Sequence, residues 1–156
     1  MGKRVLAIDP GPKRSAWIVW DGTRIFHAEI DLNENLLFLL DNKHCQADYM
    51  VIEQIKSYGM TVSDSIFDTV FWSGRFCQAW NKWGPWERIP RMTVKMHLCH
   101  NSRAKDSNIR TALIDRFGGK EKAIGKKVNP GICYGIKADM WSSLALGITW
   151  LDKNKD

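Results

Sequence analysis

The sequence contains few cysteines, and none of them forms the close pairs that mark a disulfide framework or a zinc site. The four are Cys45, Cys77, Cys99 and Cys133, and no CxxC motif occurs. Such wide spacing is typical of reduced thiols in the cytosol. We therefore expect four free thiols.

The chain also lacks a long apolar segment. No apolar run reaches the roughly 18 residues that span a bilayer. The run that follows Arg4 ends at Asp9, which is too short for a secretory signal. We therefore expect a cytoplasmic protein without a membrane span. Its 156 residues, 44% of them hydrophobic, are enough for one domain with its own core, so we predict a single domain over 1–156.

Acidic residues are in the minority. The chain has 23 lysine and arginine residues against 17 aspartate and glutamate residues, which gives a net charge of +6. A basic surface favours a polyanionic partner, and nucleic acid is the usual one.

Turn residues divide the start of the chain into three strands. Residues 4–8, 15–20 and 24–30 are predicted strands, separated by the turn at 9–12, with two prolines and a glycine, and by the Asp21-Gly22 turn. Strands joined by such tight turns pair as an antiparallel meander.

Strands and helices alternate in the rest of the chain. The apolar pattern predicts a helix at 33–42 with Asn33 as its N-cap, a strand at 49–52, a long helix at 61–82, a strand at 86–89, a helix at 107–117, a loop at 120–135 and a last helix at 137–151. The segment around Val94 and Leu98 fits a strand or a short helix. A meander followed by this alternation predicts an α/β fold, with a mixed five-stranded sheet flanked by helices.

Acidic residues stand at the ends of two buried strands. Asp9 ends the first strand and Glu53 ends the fourth. A buried carboxylate needs a hydrogen bond, a basic partner or a metal. If the two strands are neighbours, both carboxylates meet at one edge of the sheet. Asp139 lies in the first turn of the last helix, whose apolar residues must pack on the sheet.

Two interpretations of these three acids are open. In the structural one, Asp139 is a first-turn acid favoured by the helix dipole, and Asp9 caps the turn that follows it. In the functional one, the acids converge, and Mg²⁺ or Mn²⁺ bound by oxygen ligands relieves their repulsion. Two such ions about 3.5–4 Å apart can activate a water and stabilise the leaving oxygen in phosphodiester hydrolysis.

Four short motifs follow one another along the chain. They are AIDPGPKRS at 7–15, IEQI at 52–55, VK at 94–95 followed by AKDSNI at 104–109, and KAD at 137–139 followed by LALGIT at 144–149. In this order they resemble the motifs of the RuvC-type Holliday-junction resolvases, which have an RNase H-like fold. The ordered set covers nearly the whole chain.

The resemblance implies an RNase H-like nuclease domain. Asp9, Glu53 and Asp139 would hold two Mg²⁺ ions, with Mn²⁺ as a substitute, and cleave branched DNA at a four-way junction. It also implies a homodimer that places two active sites on the junction, with helix 61–82 as the dimer surface. This helix has more large apolar residues than one buried stripe needs: Ile66, Phe67, Val70, Phe71, Trp72, Phe76 and Trp80.

Two acidic positions depart from the pattern of that family. Ser142 stands where the family has a second acid, three residues after the first, and Asp106 stands where the family tends to have a basic residue. Asp106 could supply the missing carboxylate and Lys105 the positive charge, three acids could suffice, or the site could be impaired. Asp106 is equally a good N-cap for the helix that follows it.

Basic residues and an aromatic residue are candidates for DNA contacts. Many relatives have an aromatic residue three positions after the second acid, thought to wedge the junction open. Lys56 stands there in this chain, with Tyr58 and Met60 nearby. For each basic residue the alternative is a solvated surface position. The candidates for phosphate contacts are Lys13, Arg14, Lys56, Arg91, Lys95, Arg103, Lys105, Arg110, Lys126 and Lys127.

Two other functions fit the same sequence. The DPGPKR start also resembles the YqgF group, which would imply an RNase H-like nuclease acting on RNA or on flaps. Ser142 in place of an acid would suit a module that binds branched DNA without cutting it.

Overall fold

A five-stranded mixed sheet organises the fold. The computed structural model describes residues 2–155. The strands are β1 (Val5–Asp9), β2 (Arg14–Trp20), β3 (Ile25–Leu32), β4 (Tyr49–Gln54) and β5 (Trp86–Pro90), and their order in the sheet is β3-β2-β1-β4-β5. β1 pairs antiparallel with β2 and β2 with β3, whereas β4 pairs parallel with both β1 and β5. The predicted meander joined to parallel strands is confirmed.

Helices cover both faces of the sheet, because side chains alternate along each strand. The helices are α1 (Asn33–Asp41), α2 (Asp64–Asn81), α3 (Arg91–Cys99), α4 (Asp106–Arg116), α5 (Lys120–Ala123) and α6 (Met140–Lys153). Leu6 and Ile8 face a core formed with α1 and α2, whereas Val5 and Ala7 face a core formed with α3, α4 and α6. The predicted flanking helices are therefore confirmed.

The last helix packs directly across the central strands. Gly147 permits this close approach, because a Cβ there would stand 3.4 Å from the Cβ of Ala7 and 3.5 Å from the Cδ1 of Ile18. Leu144 and Ile148 of the same helix are buried against the sheet. This packing brings the first turn of α6 to the edge where β1 and β4 end.

The structure decides the one ambiguous segment of the sequence prediction and corrects two other predictions. The ambiguous residues 91–99 form α3. The predicted loop at 120–135 is wrong in part, because it contains α5 and a hairpin of β6 (Gly125–Lys126) and β7 (Asn129–Pro130). Its elements are too short for an apolar period to reveal them. The N-cap assigned to Asn33 is also wrong, because Leu32 holds the capping position and the Asn33 side chain is fully buried.

All four cysteines are free thiols, as expected. Within residues 2–155, no helix has both the length and the hydropathy that crossing a membrane requires.

Candidate active site

Asp9 and Glu53 lie side by side at one edge of the sheet. β1 and β4 are parallel and Ile8 pairs with Ile52, so the next residue of each strand reaches the edge together. The strand segments before them are buried, which leaves the two carboxyl groups at the boundary of the core. The two groups are close enough for each to affect the pKa of the other.

The surroundings of this pair favour its protonated forms. Burial raises the pKa of Asp9 well above its usual value, and the negative charges of Glu53 and Asp139 raise it further. Burial also raises the pKa of Glu53, although the charge of Arg91 opposes this effect. A bound cation would relieve the crowding of negative charge that produces these shifts.

Asp139 belongs to the segment that leads into α6. It is exposed and directly precedes Met140, the first helical residue, so the prediction of a place inside the first turn is one residue off. Its side chain makes no capping hydrogen bond, yet its charge raises the pKa values of Asp9 and Glu53. The preceding residue, Ala138, has a strained left-handed backbone with φ of 48°.

Arg91 is the basic residue in closest contact with these acids. Its Nη1 is 3.6 Å from Oε1 of Glu53, and its Nη2 donates a hydrogen bond to Oδ1 of Asp106. From the sequence, Arg91 is only one of the candidate residues for phosphate contacts. Its position directly after the strand that pairs with β4 was the signal that could have assigned it to the site.

Asp106 is connected to Glu53 through the guanidinium of Arg91, but it does not cap α4. Lys105 holds the capping position, and the backbone N–H of Lys105 donates to Oδ1 of Asn108 at 2.8 Å. The interpretation of Asp106 as the N-cap is therefore wrong. Asp106 also lines a cavity of about 310 Å³ together with Asp139, Ser142 and Arg110.

A second, narrow cavity joins the acids to the start of α6. Asp9, Glu53, Arg91 and Ser142 line it, together with apolar residues of α3, α4 and α6. Its volume of about 20 Å³ leaves room for roughly one water or ion. Ser142 therefore lines the same cavity as the two acids, and it is only partly exposed.

The donor atoms at this edge suit a hard divalent cation. They are carboxylate and hydroxyl oxygens, the ligands that Mg²⁺ and Mn²⁺ prefer. Within residues 2–155, no three His, Cys, Asp or Glu side chains lie close enough together to form a ready-made metal site. The site thus consists of a formed pair, Asp9 and Glu53, with the more exposed Asp139 and Asp106 near it.

A buried ring of hydrogen bonds supports the turn that follows Asp9. The Gly11 N–H donates to Oγ of Ser15 at 3.1 Å, the Ser15 hydroxyl donates to Oδ1 of Asn33 at 2.6 Å, and Nδ2 of Asn33 donates to the Gly11 carbonyl at 2.9 Å. A Cβ on Gly11 would stand 2.2 Å from the carbonyl oxygen of Arg14, so only glycine fits there. These three hydrogen bonds were not predicted from the sequence.

The structure brings some of the candidate DNA contacts to this edge. Lys13 is exposed in the turn after Asp9 and Arg14 is exposed at the start of β2, and the charge of Lys95 acts on Glu53 from the next turn of α3 beyond Arg91. Lys105 is exposed beside Asp106. Other candidates lie farther along the chain and are exposed: Lys56 and Tyr58 in the loop after β4, and Lys126 and Lys127 in the β6–β7 hairpin.

Comparison with known proteins gives matches in structure but not in sequence. No protein-family model matches the chain, and no curated protein matches it significantly. The RuvC structure from Thermus thermophilus superposes with a TM-score of 0.66 at 16% identity, covering 96% of this chain and 95% of RuvC. The RuvC of the same species in complex with a Holliday junction substrate gives a TM-score of 0.71 at 16% identity, covering 95% and 92%.

A eukaryotic structure is similar as well. The yeast mitochondrial Holliday junction resolvase Ydc2 superposes with a TM-score of 0.61 at 15% identity, covering 96% of this chain and 78% of Ydc2. These similarities extend over nearly the whole chain and establish its fold. The chain has the RNase H-like fold of RuvC, as the resemblance of the motifs predicted.

Proposed function

We propose that this chain is a single nuclease domain that cleaves phosphodiester bonds in branched DNA with the help of divalent metal ions. The observation that carries this proposal is the contact between Asp9 and Glu53 at the ends of two parallel strands, with Asp139 close enough to raise the pKa values of both. The fold supports it as well, because the similar structures include RuvC in complex with a Holliday junction substrate and the Holliday junction resolvase Ydc2.

The acids act as ligands in this proposal. Asp9 and Glu53 would hold Mg²⁺ or Mn²⁺ from the rigid sheet, and Asp139 would complete the set from the start of α6. The chemistry that two such ions would supply is activation of a water and stabilisation of the leaving oxygen of the phosphodiester. The ring around Gly11 keeps Asp9 in place, and the apolar wall of the narrow cavity limits the entry of further water.

The basic residues at the same edge hold the DNA backbone. Lys13, Arg14, Lys95 and Lys105 are near the acids, and they would position a duplex arm by its phosphates without reading its sequence. Lys126 and Lys127 extend this contact from the hairpin. Lys56 and Tyr58 follow Glu53, and the exposed ring of Tyr58 is available to contact unpaired bases.

A second copy of the chain completes the enzyme. Phe67, Val70 and Phe71 of α2 are 63%, 48% and 66% exposed, and Phe38 of α1 is 60% exposed. Exposed large apolar side chains concentrated in one helix pair are characteristic of an interaction site. In a homodimer formed through α2, two active sites could act on the opposite strands of a four-way junction.

The test compares three substrates under identical conditions. We expect Mg²⁺-dependent cleavage of a synthetic four-way junction, with little cleavage of a linear duplex of the same sequence or of a structured RNA. Asp9→Asn should abolish cleavage and leave junction binding largely intact, because phosphate contacts do not need the carboxylate. Preferential cleavage of RNA would favour the YqgF-like alternative. Loss of the folded circular-dichroism spectrum in Asp9→Asn would make Asp9 a structural residue.

A non-cleaving module for branched DNA is the second candidate. Two observations favour it: Ser142 replaces a carboxylate beside the pair, and within residues 2–155 no three-ligand metal site is preformed. Tight junction binding without cleavage in either Mg²⁺ or Mn²⁺ would establish this function in place of the nuclease.

A further inference from the structure

Arg91 supplies a positive charge beside the acidic residues of the candidate site. β5 pairs with β4 so that Ile89 lies beside Glu53, and the chain passes through Pro90 into α3 at the same edge. Arg91, the first residue of α3, therefore lies at the edge of the sheet beside the end of β4 that carries Glu53. Its guanidinium contacts Glu53 with Nη1 and Asp106 with Nη2.

The three side chains form a series from the core to the solvent. The side chain of Glu53 is 14% exposed, that of Arg91 34% and that of Asp106 73%. The guanidinium therefore bridges a nearly buried acid and an exposed one. Because its outer side faces water, Arg91 can leave Glu53 without unpacking the core.

We propose that Arg91 is the resident counter-ion of the metal site and that a divalent cation displaces it from Glu53. This inference rests on the proposed function, because it assumes that Glu53 is a metal ligand. A guanidinium and a divalent ion at the same carboxylate repel each other, so binding of one disfavours binding of the other. Glu53 then has a positively charged partner both without metal, where it is Arg91, and with metal, where it is the divalent cation.

Phosphate is the ligand that the released guanidinium fits. The planar fork of arginine binds phosphate oxygens in a bidentate manner, and the DNA backbone brings phosphate to the same edge. Metal loading and the capture of phosphate by Arg91 are then linked steps. The protein without DNA should bind metal weakly, because the metal must replace an existing ion pair.

The test measures the binding of Mn²⁺ to DNA-free protein by titration calorimetry. Arg91→Gln should bind Mn²⁺ about threefold to tenfold more tightly than wild type, since a partly exposed ion pair no longer competes. The matched control is Lys95→Gln, which removes the same charge one turn along α3 but makes no ion pair with Glu53 within 4 Å in the described chain. It should tighten binding much less. Equal affinities of Arg91→Gln and wild type, or equal gains in both variants, would overturn the exchange.

Asp9→Asn separates this inference from the proposed function. If wild type binds Mn²⁺ and Asp9→Asn does not, the metal site stands, and an unchanged Arg91→Gln contradicts only the role of Arg91. If neither wild type nor Arg91→Gln binds Mn²⁺, both proposals are wrong. Should Arg91→Gln fail to fold by circular dichroism, Arg91→Met removes the charge but keeps a long unbranched side chain, and it should tighten binding in the same way. An unchanged affinity of Arg91→Met would then overturn the exchange.

Phosphate capture has a readout of its own. The affinity for a four-way junction is measured over a range of salt concentrations, once with EDTA and once with Ca²⁺. Arg91→Gln should flatten the dependence of log K on log salt by about 0.9 in Ca²⁺, the value for one phosphate contact, and should leave it unchanged in EDTA. A change of equal size in both conditions would mean that Arg91 contacts phosphate without leaving Glu53.

Discussion

At the scale of single residues, the acids of the candidate site differ in how firmly the protein holds them. Asp9 and Glu53 extend from buried strands, and the hydrogen-bond ring of Gly11, Ser15 and Asn33 supports the turn beside Asp9. Asp106 is exposed and is held through its contact with Arg91. Metal binding at this edge would therefore add the exposed acids to a rigid pair.

Asp106→Asn tests whether Asp106 is a metal ligand. An amide is a poorer Mg²⁺ ligand than a carboxylate, and the helix start should be unaffected because Asp106 is not the cap. We expect the variant to lose most cleavage at low Mg²⁺ and to regain part of it at high Mg²⁺ or in Mn²⁺. Cleavage rates measured across the metal titration decide the matter. Wild-type rates throughout would limit Asp106 to pairing with Arg91.

Asn33→Ala tests the ring behind Asp9. The change leaves the part-buried Gly11 carbonyl without its donor and the buried Ser15 hydroxyl without its acceptor, which should lower the free energy of unfolding by about 1–3 kcal/mol in a urea titration. The control is Asn35→Ala on the exposed side of the same helix, where we expect a change within about 0.5 kcal/mol. Equal effects of the two variants would show that the ring does not stabilise the turn.

At the scale of elements, an ionic network ties three helices together far along the chain from Asp9. Asp152 near the end of α6 accepts hydrogen bonds from Arg116 of α4 at 2.6 and 2.7 Å, and it lies 2.8 Å from Nε2 of His97 in α3. Burial alone would raise the pKa of Asp152, but the hydrogen bonds from Arg116 and His97 outweigh it and lower the pKa to about 2.

This network predicts a pH dependence of stability. A lowered pKa stabilises the folded state above the unfolded-state pKa of about 4, and the contribution is lost as the pH falls from about 4 through about 2. Asp152→Asn should lower the free energy of unfolding at neutral pH by about 2 kcal/mol and remove part of the loss between those pH values. Chemical unfolding as a function of pH measures both. Asp115→Asn, an exposed acid of α4, is the control, and a variant curve parallel to that of wild type would contradict the prediction.

The exposed face of α2 makes a prediction about assembly. Phe71→Asp places a charge in the exposed apolar face of α2 formed by Phe67, Val70 and Phe71, and should convert a dimer into a folded monomer in sedimentation velocity experiments. Ser65→Asp adds the same charge at another exposed position of the helix and should leave the dimer intact. Wild-type protein that is monomeric at micromolar concentration, also with junction DNA, would disprove the proposed dimer.

At the scale of the whole molecule, the excess of positive charge predicts binding that depends strongly on salt. The log of the binding constant should fall with log salt by about 0.9 for each phosphate neutralised. Lys126→Ala with Lys127→Ala should flatten that slope if the hairpin contacts DNA. Lys3→Ala, before the start of β1 and so away from the acid edge, should not. An unchanged slope for the hairpin variant would place the hairpin away from the DNA.

The sequence by itself determined the order of the strands and the two acids at their ends. These features depend on local signals: the alternation of apolar residues, the prolines and glycine after Asp9, and the length of each segment. From these signals the meeting of Asp9 and Glu53 was predicted only on the condition that their strands are neighbours, and the parallel pairing of β1 with β4 meets that condition.

The polar partners of these acids, and of the turn that follows Asp9, were decided only by the tertiary structure. Asn33 resembles a helix cap in sequence, but folding buries it against Gly11 and Ser15, which lie 22 and 18 residues away. Likewise Arg91 is one basic residue among many until β5 places it between Glu53 and Asp106. A hydrogen bond or ion pair requires partners within a few ångströms and in the right orientation, and for residues distant in sequence only the packed chain supplies that geometry.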